Sequence, residues 1–211
     1  MSAVNVARNE RAALCDLFEE LGPDQPTLCE GWTTRDLAAH LVTRERRPDA
    51  AVGIVVKPLS GFTEQVRAAA AKRPFAELVA QLRRPPFWTM GGFGPTDRAT
   101  NTLEFFIHHE DVRRAQPDWV PRQLDGPTSR ALWHGVPGSA RLALRRFRAG
   151  VAISAPGHGQ ARAGIGEVQV QLTGEPGELI LFLSGRQRAA QVEITGPEEL
   201  TAKLRRARLG L

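Results

Sequence analysis

The spacing of apolar residues changes at Gly150, and that change limits the chain to two kinds of structure joined in order. Before Gly150, apolar side chains recur every three or four residues, the period of a helix with one buried stripe. After it, Glu167-Val168-Gln169-Val170-Gln171-Leu172 alternates strictly, the period of a strand with one face in water. Helices followed by strands predict an α+β chain, with a helical unit over 1–120 and a linker helix plus a small α/β unit over 121–211. The 211 residues are enough to bury a core without disulfides or metal. The two cysteines, Cys15 and Cys29, are too few for a disulfide scaffold or a cysteine-rich zinc knot.

In the helical part, Ala12, Cys15, Phe18 and Leu21 are spaced by three, predicting a helix over 8–21 that stops at Gly22-Pro23. Cys15 lies on that stripe as a small buried hydrophobe. A second helix starts at Thr33, three residues before Asp36, a capping-box pair with aspartate in place of the usual glutamate. Trp32 is placed to pack back on Leu37, and Leu37, His40 and Leu41 share a side. Residues 62–71 and 75–82 form a third helical region interrupted at Pro74. The stretch RPPFWTMGGFGPTD follows as a loop whose Phe87, Trp88, Met90 and Phe93 suit either a cover on the core or a pocket wall. The strongest helical segment is 96–115. Residues 121–127 read as a linker, and 128–148 as an amphipathic segment that must bend or break at Gly135-Val136-Pro137-Gly138.

In the alternating part, 151–154, 167–172 and 191–194 read as strands, 177–183 as a strand or a helix, and 197–207 as a helix with acidic residues at its start.

The chemistry concentrates on 96–115. Glu104, His108 and Asp111 fall at i, i+4 and i+7, and one helical turn brings Glu104 and His108 within reach of a single ion. A carboxylate among Leu103, Phe105, Phe106 and Ile107 is costly unless an ion or a cation accompanies it. A further histidine from another helix would make a set of two nitrogens and one carboxylate with an open position, and His40 is the candidate. Zinc, nickel and iron all suit such a set. His109 points about 100° away and is expected either to support a ligand from behind or to line the pocket; Asp111 either orients a ligand or pairs with Arg114.

Other chemistries lack their signatures. No glycine-rich phosphate or dinucleotide motif is present, and no serine-nucleophile or Cys-x-x-Cys context. The net charge of +5 is almost all arginine and resides beyond residue 140, with no aromatic interleaving and no tyrosine, so nucleic acid is not an expected partner. No apolar run reaches the length of a membrane span and no leader is evident at the start, so a cytoplasmic protein is expected.

The segments GPDQPTLCEGWTTRDLAAHLVTRERRPDA and TNTLEFFIHHEDVRRA resemble the actinobacterial branch of the DinB-like superfamily, which includes mycothiol-dependent maleylpyruvate isomerase and related metal-binding proteins. Its motifs, Trp then Asp-Leu-x-x-His and Glu-x-x-x-His-x-x-Asp, fall here on Trp32, Asp36, Leu37 and His40, then on Glu104, His108 and Asp111. The resemblance implies an N-terminal DinB-like four-helix bundle holding a divalent ion, zinc first, through His40, Glu104 and His108. The segment VQVQLTGEPGELILFLSGRQRAAQVEITGPEELTAKL resembles the family's sterol-carrier-like α/β unit, which makes 177–183 a helix. The family's isomerase uses an arginine of that unit, and Arg186 is the candidate catalytic arginine here.

Three functions remain open. The first is a mycothiol-dependent isomerase or thiol transferase acting on a small molecule, with Trp88, Phe93 and His109 as cofactor-binding residues. The second is a metal-dependent hydrolase, and the third a non-catalytic metal or ligand binder. Partners are a small-molecule thiol and a substrate, for a monomer or homodimer.

Overall fold

A computed structural model describes residues 5–50, 56–85 and 101–210. The chain divides into two compact units, Met1–Pro121 and Arg122–Leu211. The α+β class expected from the change in period is the class found.

In the first unit α1 (Val6–Leu21) is capped by the Asn5 side chain and ends at Gly22, whose φ of 78° suits a residue without a side chain. Helix α2 (Thr34–Arg46) begins with a complete capping box: Thr33 accepts from Asp36 N, and Asp36 Oδ2 accepts from Thr33 N. A 3₁₀ turn (Lys57–Leu59) leads into α3 (Ser60–Ala71), and α4 (Phe75–Arg83) follows the break at Pro74. Helix α5 (Thr102–Arg113) completes the bundle. Helix α1 packs on α5 and α4, and α2 packs on α3 and α4. The shared core includes Leu14, Phe18, Leu37, Leu41, Leu82 and Phe105, all fully buried, each contributing roughly 1.5–3 kcal/mol. Helix α5 is buried on nearly every side, so its polar residues must find partners inside the bundle.

In the second unit, α6 (Gly126–Ala143) continues as one helix through the position where a bend or break was expected, with Pro137 inside it. The missing N–H costs one helical hydrogen bond. Burial of Leu132, Val136 and Ala140 along one stripe, packed on α7 and β2, outweighs that cost. The helix also starts earlier than expected, within the presumed linker: Asp125 caps it and Pro127 occupies its first turn, where no N–H is needed. Strands β1 (Gly150–Ala155), β2 (Gly159–Gly164), β3 (Val168–Thr173) and β4 (Glu193–Thr195) form one sheet in the order β2-β1-β3-β4. β1 pairs antiparallel with β2 and parallel with β3, and β3 pairs antiparallel with β4. Sequence GQARAG of β2 offers no apolar alternation, so that strand was not foreseen.

Gly150 marks the change of period for a steric reason. A Cβ there would lie 2.5 Å from the Glu167 carbonyl oxygen, which accepts from Gly150 N at 2.8 Å. Helix α7 (Pro176–Leu183) is buried at every residue, which explains an apolar run without helical alternation. Helix α8 (Glu198–Arg206) packs on β3. Among the described residues no helix is long and apolar enough to cross a membrane.

Candidate metal centre

The capping box fixes where α2 begins and so which residues face inward; His40 lies on its second turn from the Thr33 cap. On α5, Glu104 and His108 stand one turn apart. The structure brings His40 to both. The His40 and His108 rings are 5.4 Å apart, edge to face. Glu104 Oε1 is 3.6 Å from His40 Nε2 and 3.3 Å from His108 Nε2. One atom from each of the three residues falls within 4.8 Å of the others. Around a tetrahedral ion with ligand distances of about 2.0–2.1 Å, neighbouring ligand atoms stand about 3.3 Å apart. The two Glu104 separations match that spacing, so the donor set fits a divalent ion.

His108 is held from its other side. Its Nδ1 lies 2.9 Å from Asp111 Oδ2, and Asp111 is fully buried. The carboxylate accepts from Nδ1 and so orients the ring with Nε2 facing Glu104. Cys29 Sγ donates to the same Asp111 oxygen at 3.2 Å and lies 4.0 Å from His108 Nδ1. The loop that carries Cys29 is tied to α5 by Leu28 N donating to Asp111 O, and internally by Thr27 Oγ1, which accepts from Cys29 N and donates to Trp32 O. Cys29, His108 and Asp111 are therefore also close enough to surround an ion. Their separations of 2.9 and 3.2 Å are hydrogen-bond lengths, which makes them a support for His108.

Two further side chains border the group. The Trp32 ring lies 5.1 Å from the His40 ring, and the Arg67 guanidinium lies 5.1 Å over Trp32. Arg44, one turn beyond His40 on α2, places Nε 3.2 Å from Glu104 Oε1.

These contacts set the charges. Burial works against ionisation of Glu104, but hydrogen bonds from His108 and His40, with the charges of His108 and Arg44, hold the carboxyl well below its usual range. Burial also works against a charged His108, yet Asp111, Cys29 and Glu104 together hold its pKa well above the ordinary value. His40 goes the other way: burial lowers its pKa, Glu104 opposes that, and the charge of His108 adds to it.

The other expected site residues fall elsewhere. His109 is not brought to the group: its Nδ1 lies 2.8 Å from Glu10 Oε2 of α1, and both side chains are buried. The 100° offset from His108 points it at the neighbouring helix. Asp111 takes up His108, and Arg114 pairs with Glu110. Trp88 and Phe93, with Phe87 and Met90, lie outside the described residues. Arg186 belongs to the second unit, just after α7, where its Nη1 donates to Ser184 O at 2.6 Å. Sequence reasoning gave no site role to Arg44, Cys29 or Trp32. For Arg44 the signal was present, since residues 40 and 44 share a helical face. Cys29 and Trp32 lie in a loop, where spacing carries no such rule.

Comparison with known proteins adds the family. No curated protein sequence matches the chain. Among solved structures it is similar to a crystal structure of a histidine-to-alanine variant of mycothiol-dependent maleylpyruvate isomerase, with a TM-score of 0.60 at 15% identity over 90% of each chain. It is also similar to a crystal structure of mycothiol-dependent maleylpyruvate isomerase itself, with a TM-score of 0.53 and the same identity and coverage. The family described as "Mycothiol maleylpyruvate isomerase N-terminal domain" matches residues 5–150, which contain the whole His40, Glu104 and His108 group and more than half of the chain. The chain belongs to that family.

Proposed function

We propose that this chain is a mycothiol-dependent enzyme, an isomerase or thiol transferase acting on a small molecule, that holds one divalent ion through His40 Nε2, Glu104 Oε1 and His108 Nε2. The observation that supports it best is the convergence of the two imidazole nitrogens on one carboxylate oxygen at 3.3 and 3.6 Å, in a chain of this family. Zinc is the first candidate, with nickel and iron compatible with the same donors.

A bound divalent ion would act as a Lewis acid, lowering the pKa of a thiol or water at its open position. Everything else is the work of the chain. Asp111 keeps the Nδ1 proton on His108 and aims Nε2 inward. His40, whose pKa is lowered, presents a neutral imidazole near neutral pH. Glu104 stays ionised. Two neutral imidazoles and one carboxylate leave a divalent ion with one net positive charge, which favours an anionic ligand such as a thiolate. Trp32 forms an aromatic wall beside His40. On this reading Arg186 is the catalytic arginine and Trp88 and Phe93 are cofactor-contacting residues, while His109, which is paired with Glu10 inside the bundle, has a packing role.

The experiment is elemental analysis of metal per chain for wild type and His108→Ala, followed by an isomerisation assay with maleylpyruvate, with and without mycothiol. The expected result is about one ion in wild type, none in the variant, and turnover that requires the thiol. A wild type that takes up no divalent ion on titration defeats the metal reading. Turnover independent of mycothiol defeats the thiol reading.

A further inference from the structure

Glu104 has a cation beside it that is part of the protein. Arg44 Nε lies 3.2 Å from Oε1, the same oxygen that faces both imidazoles. The guanidinium is fixed from a second direction, because Nη1 donates to Asn101 Oδ1 at 2.7 Å, just before α5 begins. Neither side chain is well exposed: 16% for Arg44 and 24% for Glu104. Charges so placed interact more strongly than they would in water. Two of the buried carboxylates elsewhere in this bundle are accompanied in the same way, Glu45 by Arg11 and Glu110 by Arg114. Glu104 differs in that its oxygen also faces two imidazole nitrogens suited to an ion.

We propose that Arg44 is the resident counter-ion of Glu104: it neutralises the carboxylate in the ion-free bundle and weakens the site's hold on the ion that Glu104 receives. The inference rests on the metal reading above. One position then has two effects of opposite sign. Without an ion, the Arg44 charge offsets the cost of a largely buried carboxylate, so the bundle folds before it is loaded. With an ion on Oε1, Arg44 faces a second cation a few ångströms away and the pair repel. The ion is therefore exchangeable, where the same three donors without the arginine would retain it. An arginine with only a packing role has no such split, because losing it would reduce ion-free stability and leave zinc affinity unchanged or reduced.

The test uses the full chain as wild type, Arg44→Gln, Arg44→Lys and Arg47→Gln, each stripped of metal with a chelator. Arg47 is the control because its charge, on the same helix end, is paired with Asp49 at about half exposure. Thermal midpoints are measured without metal, and zinc affinity is measured by competition with a chromophoric chelator. Arg44→Gln is expected to melt several degrees lower without metal and to bind zinc roughly tenfold more tightly. Arg47→Gln is expected to change neither. Arg44→Lys keeps the charge but loses the two-point fork, and is expected to bind zinc more tightly than wild type by a smaller factor. Should Arg44→Gln fail to fold without zinc, the Lys variant decides. Zinc affinity in the Arg44 variants equal to or weaker than that of a zinc-binding wild type overturns the proposal. A wild type that binds no zinc ends the metal reading and this proposal with it.

Discussion

His108 and Asp111 are joined through the edge of the imidazole that faces away from Glu104, with Nδ1 2.9 Å from Oδ2. One residue of α5 thus bridges a buried carboxylate behind it and a half-buried carboxylate in front. The same Asp111 oxygen takes the Cys29 thiol, so a side chain of the loop before α2 and one of α5 meet on a single atom.

Replacing Asp111 with Asn tests that bridge. The amide cannot hold the Nδ1 proton as a carboxylate does, and zinc affinity is expected to fall by about 10–100-fold. Chelator competition measures it. Retention of wild-type affinity in Asp111→Asn, with unchanged secondary structure by circular dichroism, would show that His108 needs no orienting partner.

The two adjacent histidines are expected to separate cleanly. His108→Ala abolishes tight metal binding. His109→Ala keeps the metal but loses stability, because Glu10 loses its α1–α5 contact inside the bundle; the cost is about 1–3 kcal/mol. Metal content and urea midpoints on the two variants report the two effects. Loss of metal in His109→Ala alone would exchange their roles.

The pH dependence follows from the imidazoles. His108 has a raised pKa in the ion-free fold, so it carries a proton near neutral pH that an entering ion must displace; His40, with a lowered pKa, carries none. Zinc binding is therefore expected to release about one proton near neutral pH and to strengthen as pH rises. Calorimetric titration in buffers of different ionisation enthalpy counts that proton. The ion-free protein shows the opposite slope from this group. A raised folded pKa contributes stability fully below the unfolded value of about 6.5, and that contribution is lost as pH rises through the folded value. Release of no proton, or of two, would contradict the assignment.

Cys15 is fully buried on α1, and burial, only partly offset by Arg83 and Arg11, pushes its thiol up to about 12. In the native protein at pH 8 it is expected to resist thiol reagents and to react only on denaturation. Peptide mass spectrometry after brief alkylation checks this; rapid native labelling at Cys15 would show that the α1 face opens.

Much of this was legible in the chain, for identifiable reasons. Glu104 and His108 share a face because helix geometry requires it at that spacing, and the Thr33–Asp36 pair announces the start of α2 because two orphan N–H groups need those side chains. The meeting of His40 with them is not written in any local spacing, since it depends on how α2 and α5 pass each other; the donor set's need for a histidine from another helix made His40 the candidate, and the family resemblance pointed to the same residue. No break occurs at Pro137 because the burial of Leu132, Val136 and Ala140 outweighs the local penalty, and that burial is not written at the proline itself. His109 misled because its partner lies 99 positions away on α1. Strand β2 carried no signal, since alternation needs apolar residues and Gly159–Gly164 has only two alanines.

The capping box of α2 has a consequence beyond the helix it starts. Asp36 uses Oδ2 for the Thr33 backbone and hydroxyl and Oδ1 for Arg67 Nη1 at 2.7 Å, and Arg67 covers Trp32, which in turn lies against His40. Glutamate, the usual residue at this position, would reach the cap with a longer arm and deliver its second oxygen somewhere else. The shorter acid is what lets one carboxylate serve two masters at right distances, so the departure from the common pattern at residue 36 couples the folding signal of a helix to the alignment of an aromatic plate beside the histidine.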